Sequence, residues 1–112
     1  MPFYDLTKMA HVAIGPQQSA ARGAVVQGQN LEVALVRYEA HRAAKSHRDS
    51  NEQMIFVLEG RLRARIEYEV AVADPGDIIH IPANVEYELV AIEDAEVISF
   101  KSHAAGRGSP RE

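Results

Sequence analysis

His47-Arg48-Asp49-Ser50-Asn51-Glu52-Gln53-Met54-Ile55-Phe56-Val57-Leu58-Glu59-Gly60 is the stretch on which the fold of this chain turns. A polar run gives way to a dense apolar segment, and the segment stops at Gly60, a turn residue that tolerates positive φ. Downstream, Pro75-Gly76-Asp77-Ile78-Ile79-His80-Ile81-Pro82-Ala83-Asn84-Val85-Glu86-Tyr87 has the same construction, a turn, a short apolar strand and a second turn. Between the two, Leu62, Ala64 and Ile66 alternate with Arg61, Arg63 and Arg65, which reads as a strand with one dry and one wet face.

The rest of the chain repeats this period of two. Leu31, Val33 and Leu35 fall on one face of a strand, and Glu32, Ala34, Val36 and Tyr38 on the other. Arg37 and Tyr38 therefore point to opposite faces. Val70 and Val72 follow a turn at Glu67-Tyr68-Glu69, and Ile78–Ile81, Val85–Ile92 and Val97–Lys101 supply further strands. Short strands separated by Pro, Gly and Asn, with helix limited to about one turn near the N-terminus, predict an all-β barrel or sandwich.

The chain has 112 residues, enough for one compact core. Its formal net charge of −4 gives no electrostatic reason to expect nucleic acid or an anionic membrane as partner. Cysteine is absent, which excludes disulfides, thiolate metal sites and cysteine nucleophiles. No apolar run approaches the ~18 residues of a membrane span, and the first residues lack the pattern of a signal peptide, so a cytoplasmic protein is expected.

The two quoted stretches resemble the paired motifs of the cupin superfamily. The resemblance implies an RmlC-like double-stranded β-helix, or jelly-roll barrel, over residues 22–101, with an N-terminal arm over 1–21 and a disordered tail over 102–112. In the family the first motif places two histidines and a Glu or Gln ahead of a glycine. Anchored on Gly60 without a gap, those positions fall on His47, Asp49 and Gln53. A rival register uses Lys45 and His47 with Glu52, at the cost of one extra residue before Gly60. The second motif keeps Gly76 and Pro82, has Asn84 for Gly, and has Tyr87 where the family has its last histidine.

The resemblance thus implies a candidate set of His47, Asp49, Gln53 and Tyr87. As metal ligands these would be weak and oxygen-rich, suited to Mg, Mn or Ca rather than Fe or Zn. The cofactor expectation is accordingly open between a divalent metal ion and none. Without metal, His47 is the natural proton shuttle, Asp49 a base, and Tyr87 an acid or hydrogen-bond donor to an enolate oxygen. Against these stand plainer readings, in which Asp49 ties down its own turn and Tyr87 is a core aromatic.

The strand LEVALVRYEA, the pair Glu52-Gln53 and the closing IPANVEY…VAIEDAEVISF are similar to the small cupins that process unsaturated uronates. In those enzymes an acidic residue of the last strand assists ring opening; the matching position here falls on or near Ser99. Gln53, His80, Lys45 and Ser99 are the candidate ligand-binding residues. The leading expectation is a small-molecule-binding cupin with a degenerate metal site. Its ligand is a small polar, sugar-acid-like or keto-acid-like metabolite held in the lumen, with a modest lyase, isomerase or cyclase activity left open. The alternatives are a metal-dependent isomerase, lyase or dioxygenase using His47, Asp49, Gln53 and Tyr87, and a non-catalytic sensor or accessory module. Apolar residues on both faces of residues 20–38 predict a homodimer.

Overall fold

A computed structural model describes residues 3–13, 21–42 and 46–102. Among the described residues, nine strands follow a short 3-10 helix at Leu6–Lys8: β1 (Val12–Ala13), β2 (Ala21–Gln27), β3 (Leu31–Tyr38), β4 (Gln53–Glu59), β5 (Leu62–Ile66), β6 (Glu69–Ala73), β7 (Ile78–Ile81), β8 (Tyr87–Ala91) and β9 (Ala95–Ser102). They form two antiparallel sheets, one in the order β1-β2-β3-β9-β4-β7 and one in the order β6-β5-β8. The molecule is all-β, as the alternation predicts, and its two sheets form the jelly roll that the cupin resemblance implies.

The alternation works as read. In β4, Gln53, Ile55 and Val57 are buried while Met54 and Leu58 are exposed. Ile55, Val57, Leu62, Ile81, Val36 and Val97 are the largest fully buried side chains, and they come from both sheets. Each contributes about 1.5–3 kcal/mol by leaving water. Tyr38 packs against this core while Arg37 lies outside and pairs with Glu96 at 2.7 Å.

Three turns set the strands in place. Gly60 has φ +78°, and a Cβ there would lie 2.2 Å from the Asp94 carbonyl oxygen, so the position is closed to any side chain. Asn84 has φ +64° in the position the motif gives to Gly, as an Asn tolerates. Glu67 adopts φ +54° in a two-residue turn between Ile66 and Glu69, where no glycine is available to do so.

Two strands differ from the sequence expectation. β8 begins at Tyr87 rather than Val85, and β9 begins at Ala95 and runs to Ser102. β4 also shifts register against β9 between Val57 and Glu59, a bulge that the gapless reading did not require. Where the N-terminal arm is described it is pinned, with Val12 opposite Gly23. Residues 103–112 of the expected tail lie outside the described residues.

Candidate functional site

Cross-strand register gathers the site at one end of the barrel. On the inner face of the large sheet Gln27 stands opposite Glu32, Glu32 opposite Lys101, Lys101 opposite Gln53, and Gln53 opposite Ile81. Four polar side chains thus form one row across β2, β3, β9 and β4. Ser99, Ala34 and Ile55 make the next row inward, so Ser99 faces the lumen one step deeper than Lys101.

The segment from Ser46 to Glu52 closes over this row, stitched to β8 and the turn before it. His47 and Tyr87 form an isolated bridge, N–H to carbonyl in both directions at 3.0 and 2.9 Å. The Asn84 amide donates to the Asp49 carbonyl at 2.7 Å, and Arg48 Nη1 donates to the Asn84 carbonyl at 3.0 Å. This backbone pairing carries the His47 ring to within 4.5 Å of the Tyr87 ring, centroid to centroid.

The side chains then connect. Gln53 Nε2 donates to Tyr87 Oη at 3.1 Å, and Tyr87 Oη lies 2.7 Å from His47 Nε2. The Tyr87 hydroxyl thus bridges Gln53 and His47, and the tautomer of the imidazole sets which way the Tyr87–His47 hydrogen bond runs. Burial, with Asp49's charge adding, raises the Tyr87 pKa despite the Gln53 hydrogen bond, so the phenol stays protonated at neutral pH. Tyr38 is likewise pushed up by burial and by Tyr87.

Asp49 does two things at once. Its Oδ1 accepts the Asn51 amide at 2.9 Å, and its Oδ2 meets Lys101 Nζ at 2.9 Å. Burial pushes its carboxyl up, but the Asn51 N–H and the Lys101 ammonium outweigh burial and hold it below its ordinary value. Burial likewise pushes Lys101 down, yet Asp49, with help from Glu32 and Tyr87, carries it above its ordinary value. The pair is a salt bridge in the neutral range.

The structure therefore brings together His47, Asp49, Gln53 and Tyr87, places Ser99 one row deeper on the same face, and does not bring His80. His80 lies on the outer face opposite Met54, its Nε2 2.7 Å from Glu52 Oε2, with both side chains about half exposed (48% and 52%). Alternation decides this: Ile79 and Ile81 take the inner face of β7, which leaves His80 outside. Of the two neighbouring candidates of the first motif, Gln53 faces the core at 7% exposure and Glu52 lies outside against His80. Lys45 lies outside the described residues.

The sequence reading missed Lys101 and Glu32. Its own alternation held the signal, since Val97, Ser99 and Lys101 share a face and Glu32 shares one with Ala34 and Val36.

These residues do not fit a divalent metal. Among the described residues no group of three His, Asp or Glu side chains gathers around a common point. The set holds one imidazole, an amide that presents its NH2 to Tyr87, and a carboxylate already bound to an ammonium.

The fold and this lumen are those of one family. The profile of the cupin domain matches residues 34–100, and the chain belongs to that family. Among solved structures it is similar to an RmlC-like cupin from Shewanella frigidimarina, with a TM-score of 0.81, 17% identity, and 93% of this chain and 92% of that one covered. It is also similar to KdgF from a Halomonas species, with a TM-score of 0.78, 20% identity, and 89% and 93% covered. Salicylate 1,2-dioxygenase from Pseudoaminobacter salicylatoxidans shares the barrel at a TM-score of 0.62 and 19% identity, over 65% of this chain and 21% of its own. No curated protein matches the chain in sequence.

Proposed function

We infer that the chain is a small-molecule-binding cupin whose lumen mouth holds a small polar metabolite of sugar-acid or keto-acid type. The observation that carries this reading is the chain of hydrogen bonds from Gln53 through Tyr87 to His47, set beside the Asp49–Lys101 pair. It sets a phenol and an imidazole beside the polar row that carries the Lys101 ammonium, over a core that is otherwise apolar. A few convergent polar groups at the mouth of an apolar barrel are what orient a small ligand. The similarity to uronate-processing cupins supports the sugar-acid class, while Asp49 and Tyr87 stand where that family has histidines.

The same groups support proton transfer. Tyr87 can donate to a developing enolate oxygen while His47 accepts a proton, so an isomerase or lyase step on a hydroxy or keto acid is within reach of these side chains.

The test is a thermal-shift and calorimetric titration with D-galacturonate, D-glucuronate, pyruvate and 2-oxoglutarate as probes. At least one raises the melting temperature, as linkage requires of a ligand that binds only the folded state. Tyr87→Phe folds and binds that probe at least tenfold more weakly. A panel that moves nothing, or an affinity that Tyr87→Phe leaves unchanged, would sink the reading.

A further inference from the structure

Lys101 stands on the inner row between Glu32 and Gln53, and its Nζ meets Asp49 Oδ2 at 2.9 Å. The side chains are 29% and 21% exposed, so the pair is largely shielded and still in contact with solvent. Lysine here is a fixed point charge on a long stem that presents three N–H donors, of which Asp49 takes one. The other polar groups of the site face the same way, with Gln53 on the adjacent strand and Tyr87 hydrogen-bonded to it.

We propose that Lys101 takes the place a divalent cation would hold in this barrel, a positive charge kept at the lumen mouth by Asp49, and that it receives the carboxylate or carbonyl oxygen of a small acid directly. The lumen then works without metal. An ammonium cannot be chelated away and imposes no coordination geometry. Tyr87 and His47 keep the hydrogen bond that joins them. Asp49 has a positioning role in this arrangement, holding the ammonium at the mouth.

The inference rests on the lumen-binding reading for the identity of the ligand, but its metal arm stands without any ligand. Tag-free protein is titrated with Zn2+, Ni2+ and Mn2+, each alone, by calorimetry and by metal content after dialysis. Wild type takes up no stoichiometric metal and its melting temperature does not move. Lys101→Met keeps the aliphatic stem, removes the charge and releases Asp49, and metal now raises its melting temperature. Stoichiometric uptake by wild type that Asp49→Asn abolishes would overturn the proposal, as would a Lys101→Met protein as indifferent to metal as wild type. If Lys101→Met does not fold, Lys101→Gln replaces it and the wild-type titration still decides. In the ligand arm, Lys101→Met binds the probe acids at least tenfold more weakly, and an unchanged affinity counts against the proposal. Probe acids that fail to bind wild type count against the lumen reading alone, and the metal titration continues to test Lys101.

Discussion

Lys101 Nζ lies 2.9 Å from Asp49 Oδ2, joining the last strand to the segment that closes over the barrel mouth. This contact ties the polar row to the loop that carries His47, and it sets how stability responds to pH. The Asp49 pKa is lowered on folding, so its contribution is full above the unfolded value near 4 and is lost as pH falls through the folded value. The Lys101 pKa is raised, so its contribution is full below its unfolded value and is lost as pH rises through the folded one. Melting temperature measured against pH will show both limbs, and Asp49→Asn will flatten the acid limb. At pH 7 that variant should cost about 1–3 kcal/mol, because it leaves the ammonium without its carboxylate. An acid limb unchanged in Asp49→Asn would contradict the pairing.

Tyr87→Phe leaves Gln53, buried at 7% exposure, without the acceptor for its Nε2. A loss of about 1–3 kcal/mol is expected from urea denaturation. Gln53→Leu combined with Tyr87→Phe should cost less than the two single changes added, since the pair shares one hydrogen bond. Strict additivity would mean that the Gln53–Tyr87 bond contributes nothing.

His80 and Glu52 make the opposite case. Their contact is short but both side chains are about half exposed (48% and 52%), and exposed ion pairs rarely contribute more than about 1 kcal/mol. His80→Ala is expected to change stability by no more than about 0.5 kcal/mol and to leave probe-acid affinity alone. A tenfold loss of affinity in His80→Ala would place the ligand outside the lumen.

Gly60→Ala and Gly76→Ala separate crowding from conformation. Both glycines have positive φ, but a Cβ at Gly60 meets the Asp94 backbone at 2.2 Å while one at Gly76 meets nothing within 4 Å. Gly76→Ala should cost the left-handed penalty of about 1–2 kcal/mol, and Gly60→Ala clearly more. Equal losses in chemical denaturation would refute the close approach at Gly60.

The outer face of the large sheet bears on assembly. Ala24 and Leu35 are buried within the single chain, where the 3-10 helix lies against β2 and β3. Met54, Ile78, Phe100 and Leu31 remain exposed on β4, β7, β9 and β3. We expect a homodimer through this sheet, read by size-exclusion chromatography with light scattering, and Phe100→Asp should shift it to monomer. A wild-type monomer at micromolar concentration would end that expectation.

Most of the barrel was legible because a period of two leaves little choice of face. Gln53 inside and Glu52 outside follow from counting back to Gly60, even though a bulge interrupts β4. The candidate site was legible only in part. His47 and Tyr87 are 40 residues apart and meet through an isolated bridge that no local pattern announces. Lys101 was in plain view on the face of Ser99 and Val97, but its importance depends on Asp49 arriving from a loop.

The central claim is that the lumen binds a small acid through Tyr87, His47 and Lys101 without a metal. Calorimetric titration of chelator-treated protein with the probe acids, run in EDTA, tests it most directly. The account predicts one binding event per chain whose affinity is the same with and without EDTA, and which weakens at least tenfold in Lys101→Met. Binding that appears only when a divalent metal is restored would contradict it.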